Sequence, residues 1–197
     1  GLSIYHKSDI ILLMGNPNVG KSVIFSNLTG MNVVSSNYAG TTVTYTEGTF
    51  KLGSKTYKLI DVPGTYSLDA TSEAEEVAVR FMNSSPLAVI CVLDANNLER
   101  NIKLGLELQK YNVPIVYALN LVDVAKRHGY EIDTGLLSKE LCAPVIPTVA
   151  VKNKGINELK EALMKVLSSP GKGCFSCRNC NACRIKNYDL WDRAREI

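Results

Sequence analysis

The chain has 197 residues, of which 46% are hydrophobic, 21% charged and 7% aromatic, and its formal net charge is +3. This composition excludes a chain that is mainly disordered, and so small a charge does not indicate nucleic acid as a partner. The longest apolar run, residues 87–93, is far shorter than the roughly 20 residues of a membrane-spanning helix. We therefore expect a globular protein. Because the first residue is Gly1 rather than Met, we expect either a processed tag or an excised piece of a longer protein.

Short apolar runs alternate with helical patterns along residues 1–169, which predicts an α/β fold with a mostly parallel, six-stranded sheet flanked by helices. The predicted strands are 10–14, 43–52, 55–62, 87–93, 113–119 and 144–149. The predicted helices are 21–29, 73–83, 97–111, 134–141 and a last one after Gly155. A breaker cluster at 168–171 predicts a boundary between this domain, 1–169, and a tail, 170–197.

The segment after the first predicted strand matches a phosphate-binding loop in full. Gly15-Asn16-Pro17-Asn18-Val19-Gly20-Lys21-Ser22 fits G-x-x-x-x-G-K-S, between a strand and a helix. Glycine lets the loop turn its N–H groups toward a phosphate, and the next helix points its positive end at the anion. We expect Lys21 to reach the β- and γ-phosphates and the Ser22 hydroxyl to bind Mg²⁺. The motif predicts a P-loop nucleotide-binding protein without deciding which base is bound.

The base is indicated by Asn120-Leu121-Val122-Asp123, which follows the predicted strand 113–119 and fits N-x-x-D. The Asp123 carboxylate can accept hydrogen bonds from guanine N1–H and the exocyclic amine, whereas adenine has neither donor on that edge. We expect Asn120 to tie this loop to the phosphate loop and Leu121 to cover one face of the base. The motif therefore favours GTP and GDP over adenine nucleotides.

A second base-contacting loop is expected after the last predicted strand. Val149-Ala150-Val151 stands there, and its backbone N–H groups would contact guanine O6. Since that contact needs no side chain, Ala150 is acceptable at this position. A plain strand end is the alternative interpretation of this segment.

Two further segments are expected to respond to the γ-phosphate. Asp61-Val62-Pro63-Gly64 fits D-x-x-G, with Asp61 holding Mg²⁺ through water and the Gly64 N–H meeting the phosphate. Gly40-Thr41-Thr42 closes a polar segment, 31–41, that is predicted to be a loop ordered only by GTP. We choose Thr42 over Thr41 as the Mg²⁺ ligand, and a strand-edge hydroxyl is the alternative for either. Residues 65–72 are predicted to be a second mobile loop.

Four cysteines follow at a strict spacing of three: Cys174, Cys177, Cys180 and Cys183. Thiolates at this spacing predict a Zn²⁺ or iron–sulfur site. The basic residues of the tail would offset the negative charge of such a site. Redox-active thiols and a reduced tail without a ligand are the alternatives.

The order of these motifs resembles GTPases of the translation-factor class with a Ras-like G domain. Asn16-Pro17-Asn18, residues 37–43, residues 61–68 and Asp94-Ala95-Asn96-Asn97-Leu98-Glu99-Arg100-Asn101 together resemble the cytosolic G domain of the ferrous iron transport protein B (FeoB) family. The resemblance covers about residues 8–168. It implies that GTP hydrolysis regulates Fe²⁺ transport by a membrane domain of the same full-length protein, at the cytoplasmic face of the cell membrane.

A free-standing GTPase that matures or delivers a metal or iron–sulfur cluster is the alternative function. The helical domain that usually follows this family's G domain is longer than residues 170–197, so regulation of nucleotide release by it is in doubt. Self-association is a further expected contact of the chain, and nucleic acid is not expected as a partner.

The residue that orients the hydrolytic water is not evident. Thr65 follows Gly64 where a Ras-type GTPase has Gln, and it is too short for that role, so slow intrinsic hydrolysis is expected. Asn18 could place a side-chain oxygen on a K⁺ ion beside the phosphates, a role that the family resemblance also implies, with a loop-shaping hydrogen bond as the alternative. The candidates for catalysis are thus Asn18, Lys21, Thr42 and Gly64.

Overall fold

The structure is a computed structural model and describes residues 9–168. Its strands are β1 Ile10–Gly15, β2 Val33–Asn37, β3 Thr44–Leu52, β4 Lys55–Asp61, β5 Ala88–Asp94, β6 Ile115–Asn120 and β7 Val145–Pro147. Its α-helices are α1 Lys21–Thr29, α2 Glu73–Asn83, α3 Leu98–Leu108, α4 Val122–Arg127, α5 Thr134–Leu141 and α6 Ile156–Ser168. The predicted domain boundary at 169/170 and the cysteines Cys174, Cys177, Cys180 and Cys183 lie outside the described residues.

The strands form one sheet in the order β2-β3-β4-β1-β5-β6-β7. β1 pairs in parallel with β4 and β5, and β6 pairs in parallel with β5 and β7. The carboxyl ends of β1, β4, β5 and β6 therefore meet along one edge of the sheet. In open parallel sheets this edge is where ligands bind, and each predicted motif begins there.

The sheet has seven strands rather than the six predicted. The additional strand is β2, which pairs antiparallel with β3 from Val33 opposite Gly48 to Asn37 opposite Thr44. The sequence indicated a loop here because the segment is polar and lacks periodicity. In the structure most of its side chains are exposed. Pairing with a long neighbour, rather than burial of side chains, explains this edge strand. The helix predicted at 97–111 likewise ends at Leu108, and a short 3₁₀ turn, Gln109–Tyr111, follows it.

Apolar side chains fill both faces of the sheet. One core lies under α2, α3 and α5, and the other lies under α1 and α6. The central strands β1, β5 and β6 are buried on both faces, which is why their sequences are continuous apolar runs rather than alternating ones. Over residues 9–168, the helices are all too short or too polar to cross a membrane.

Candidate nucleotide-binding site

The phosphate-loop motif forms a turn between β1 and α1. Gly20 precedes α1 with φ 84°, and no side chain caps the helix, so the first N–H groups of α1 are available to an anion. Asn18 is exposed and also has a positive φ, 63°. The loop borders a cavity of about 360 Å³, lined by Asn16, Pro17, Asn18, Gly20, Lys21, Ser22, Val23 and Gly64. The geometry is that of a cradle of main-chain amides.

Close packing around the phosphate loop explains why glycine is required at two positions of the site. A Cβ on Gly20 would overlap the side-chain nitrogen of Asn120, and its left-handed backbone also disfavours other residues. A Cβ on Gly64 would lie 3.0 Å from the backbone nitrogen and Cα of Pro17. The D-x-x-G segment therefore packs directly on the phosphate loop, and the Thr65 N–H donates to the Gly15 carbonyl at 3.2 Å.

Lys21 and Asp61 lie together at the centre of the site. The Lys21 ammonium pairs with the Asp61 carboxylate and donates to the Val62 carbonyl oxygen at 2.6 Å. Their side chains are only 11% and 15% exposed, respectively. The pair fits Mg²⁺ and phosphate chemistry, because a carboxylate and the neighbouring Ser22 hydroxyl are hard oxygen donors and the ammonium suits an anion.

Thr42 does not lie with these groups. Its N–H and hydroxyl donate to the Glu73 carboxylate at the start of α2, at 3.3 and 2.7 Å. Thr41 is used locally: its hydroxyl donates to the Tyr38 carbonyl at 2.9 Å and accepts from the Val43 N–H at 3.1 Å. Glu73 was not predicted as a site residue, and its only signal in the sequence is its place at the start of a predicted helix. In this conformation α2 holds the predicted magnesium ligand.

Asn120 joins three loops. Its side-chain nitrogen donates to the Val19 carbonyl at 3.0 Å, and its side-chain oxygen accepts from the Thr148 hydroxyl at 3.0 Å and the Ala150 N–H at 3.1 Å. Asn120 and Thr148 are each 1% exposed. The link from this loop to the phosphate loop is confirmed. Thr148 was not predicted as a partner, although its position beside the second base loop could have indicated it.

Asp123 lies in the first turn of α4 and faces the second base loop. Lys152 donates to its carboxylate at 3.1 Å, and the Val124 N–H donates at 2.9 Å. The hydrogen bond from Lys152 is the main reason that the pKa of Asp123 lies below its ordinary value. The carboxylate is therefore ionised at neutral pH and ready to accept hydrogen bonds. Leu121 has φ 64°, and Val151 is 72% exposed.

Thr65 is buried beside the phosphate loop. It is 4% exposed, and within residues 9–168 its hydroxyl makes no hydrogen bond. Asn16 is 3% exposed, and its amide is also without a hydrogen bond in that range. The Thr65 side chain is therefore enclosed by protein rather than exposed to solvent. Among the described residues, there is no cluster of three or more His, Cys, Asp or Glu that could hold a metal ion.

These features define a class of protein. A phosphate loop after β1, a D-x-x-G segment after β4 and an N-x-x-D segment after β6 meet at one sheet edge, which is the arrangement of the G domain of a P-loop GTPase. The family model of ferrous iron transport protein B matches residues 9–163. The chain belongs to the FeoB family, and the described residues are its G domain, the family's GTPase module.

Similar proteins agree with this assignment. The Fe(2+) transporter FeoB of Salmonella typhimurium strain LT2 is 41% identical over 156 residues, which cover 77% of this chain and 20% of the relative. The chain thus spans about a fifth of the length of the curated relatives it matches. The cytosolic domain of the T. maritima FeoB iron transporter in a GDP form superimposes with a TM-score of 0.79 at 32% identity, covering 94% of this chain and 78% of that one. The FeoB G-domain of Methanococcus jannaschii gives 0.72 at 41% identity, covering 83% and 100%.

Proposed function

We propose that this chain binds GTP and GDP, hydrolyses GTP slowly, and serves as the regulatory G domain of an Fe²⁺ transporter. The observation that carries the proposal is the Asn120 side chain, which joins the phosphate loop to both predicted base loops. A single buried amide thereby fixes the separation between the phosphate cradle and the base-reading carboxylate. Family membership supports Fe²⁺ as the transported ion and disfavours the free-standing maturation GTPase.

In this proposal the phosphates take the place that Asp61 now has beside Lys21. The main-chain amides of residues 15–22 surround the β-phosphate. The N–H of Gly64, at the start of the second switch (residues 64–72), meets the γ-phosphate. Ser22, Thr42 and Asp61 hold Mg²⁺, Asp61 through water. Bound Mg²⁺ supplies positive charge that neutralises the β- and γ-phosphate oxygens. To reach that position Thr42 would have to leave Glu73, so closure of the first switch (residues 37–43) would break the hydrogen bonds between Thr42 and the Glu73 carboxylate.

The guanine contacts come from the two loops that Asn120 joins. Asp123 accepts from N1–H and the exocyclic amine, after Lys152 has moved aside. Val149, Ala150 and Val151 supply the backbone N–H contact to O6, and Leu121 covers a face of the base. With adenine bound, the covered Asp123 carboxylate would face neither of these donors and would be left without hydrogen bonds. This loss is the basis of discrimination against adenine.

Nucleotide specificity is the direct test. Titration with fluorescent GDP and ADP is expected to show at least about 100-fold tighter binding of GDP. Asp123→Asn replaces an acceptor by a donor and is therefore expected to weaken the binding of GDP at least about 100-fold. It is expected to strengthen the binding of xanthosine diphosphate, whose 2-oxo group accepts a hydrogen bond from an amide. The gain with xanthosine diphosphate is the control for folding. Equal affinities for GDP and ADP in the unsubstituted protein would contradict the proposal.

Potassium dependence tests the role of Asn18. We propose that its exposed side chain binds K⁺ beside the phosphates, where the ion would offset developing charge. GTP turnover is expected to be about tenfold faster in KCl than in NaCl at equal ionic strength, and Asn18→Ala is expected to remove the difference. GDP affinity measured in NaCl is the control and should change little. Equal turnover in the two salts would mean that Asn18 has only a loop-shaping role.

The partners of the whole protein are proposed from the family. We propose a membrane transport domain of the same full-length protein as the principal partner, with this chain at the cytoplasmic face of the membrane. Self-association is a further proposed contact. Cys174, Cys177, Cys180 and Cys183 remain a proposed Zn²⁺ or iron–sulfur site on the basis of their spacing alone.

A further inference from the structure

The segment Asp94–Asn101, singled out in the sequence, has no part in the nucleotide contacts described so far. It runs from the end of β5 into the first turn of α3. Its start is attached to the guanine side of the site: the Ala95 N–H donates to the Asn120 carbonyl at 3.0 Å, and the Asn96 side-chain oxygen lies 3.1 Å from His128 Nδ1. One end of the segment is therefore fixed relative to the base loops.

The other end of this segment contacts the second switch. The guanidinium carbon of Arg100 lies 4.1 Å from the centroid of the Tyr66 ring. Tyr66 follows Gly64 by two residues and is 43% exposed. A guanidinium at this distance over an aromatic face is a cation–π contact, and the planar group also stacks. The contact fixes the side chain that stands next to buried Thr65.

The same face of α3 contacts the next residues of the switch. The Lys103 ammonium lies 3.8 Å from the Asp69 carboxylate, and the Glu107 carboxylate accepts from the Leu68 N–H at 2.5 Å. Residues 100, 103 and 107 lie on one stripe of a helix, because they are three and four residues apart. α3 thus holds the switch over residues 66–69, while the phosphate loop holds Gly64 and Thr65.

We propose that Arg100 is a positioning residue for GTP hydrolysis. By stacking on Tyr66 it fixes the part of the switch that follows Gly64. It thereby supports the packing of Gly64 on the phosphate loop, which would direct the Gly64 N–H toward the γ-phosphate. Arg100 acts through Tyr66 and is not itself a catalytic residue. The inference rests on the proposed GTP hydrolysis. Because GDP has no γ-phosphate, the affinity for GDP is not expected to depend on the contact between Arg100 and Tyr66.

Single substitutions separate positioning from binding. Arg100→Ala is expected to lower kcat for GTP about fivefold, which corresponds to about 1 kcal/mol, and to change the Kd for GDP by less than about twofold. Arg100→Lys keeps the charge but not the planar group, so its kcat should lie between those of the unsubstituted protein and Arg100→Ala. Tyr66→Phe keeps the ring and should retain full kcat, whereas Tyr66→Leu should resemble Arg100→Ala. Rates are normalised to the concentration of GDP-binding sites, so partial unfolding does not imitate the effect.

The double variant Arg100→Ala/Tyr66→Leu is the decisive measurement. Its kcat is expected to equal that of either single variant, because both remove the same contact. Lys55→Ala is the matched control: Lys55 lies 5.2 Å over the Tyr57 ring at the start of β4, the end of that strand opposite Asp61, and its loss should leave kcat unchanged.

The outcomes distinguish the inference from the proposed function. Unchanged kcat in Arg100→Ala, or single effects that multiply in the double variant, would overturn the role of Arg100 while leaving GTP hydrolysis intact. Loss of GDP affinity equal to the loss of kcat would also overturn it. No turnover by the unsubstituted protein would instead refute the proposed function itself.

Discussion

Lys21→Ala is expected to weaken GTP and GDP binding by at least about 100-fold. Charge-assisted hydrogen bonds contribute about 1.5–3 kcal/mol each, and in the proposed complex the ammonium contacts two phosphates. In the structure Lys21 pairs with Asp61, so the substitution also leaves a carboxylate with little exposure facing the phosphates. Titration with a fluorescent GDP analogue measures the loss.

Two controls make this result interpretable. Lys55→Ala removes a lysine at the far end of β4, where its ammonium lies 3.3 Å from Asp9, and should leave GDP affinity unchanged. Thermal unfolding of Lys21→Ala without nucleotide should show a cooperative transition, which separates loss of the site from loss of the fold. A Kd within about threefold of the original value would refute the assignment of the phosphate loop.

Asn120→Ala is expected to affect both stability and binding. The side chain makes three buried hydrogen bonds, and its removal leaves the Val19 carbonyl and the Ala150 N–H without their partner. At about 1 kcal/mol for each bond, the free energy of unfolding should fall by about 3 kcal/mol, which lowers Tm by roughly 10 °C. GDP affinity should fall at least about 100-fold, because the phosphate and base loops are no longer held together.

Matched variants show which bonds matter. Asn120→Asp keeps an acceptor for Thr148 and Ala150 but cannot donate to the Val19 carbonyl, so its stability should be reduced while the two base loops remain joined. Asn27→Ala removes a single hydrogen bond of 2.8 Å to the Ala150 carbonyl and should cost about 1 kcal/mol. If Asn120→Ala destabilised the protein no more than Asn27→Ala, Asn120 would not be the joining residue.

Several elements were predictable because their signals are local. The bounds of α1, α2 and α5 coincide with those of the predicted helices. In the structure Ser72 caps α2 by accepting a hydrogen bond from the Glu75 N–H. The buried strands β1, β5 and β6 were found from uninterrupted apolar runs. α4 was missed because its residues belong to the N-x-x-D motif, and at six residues it is too short to show a helical period.

The amino-acid sequence by itself determined the motifs of the site: the phosphate loop with its lysine, the oxygen donors predicted for Mg²⁺ and the carboxylate proposed to read guanine. Spacing over a few residues encodes these groups, since each motif is one turn at the end of one strand. Only the tertiary structure decided which groups contact them. Thr42 is hydrogen-bonded to Glu73, which is 31 residues away in the sequence, and Asp123 is hydrogen-bonded to Lys152, which is 29 residues away.

The pairing of Arg100 with Tyr66 was also decided by the tertiary structure, because it depends on β1 lying between β4 and β5 and on the packing of α3. β2 likewise required β3 as a hydrogen-bonding partner, since its own side chains carry no strand pattern. Contacts of this kind follow from the order of strands in the sheet. No local sequence pattern specifies that order, and this is why the partners of the motifs, unlike the motifs themselves, required the structure.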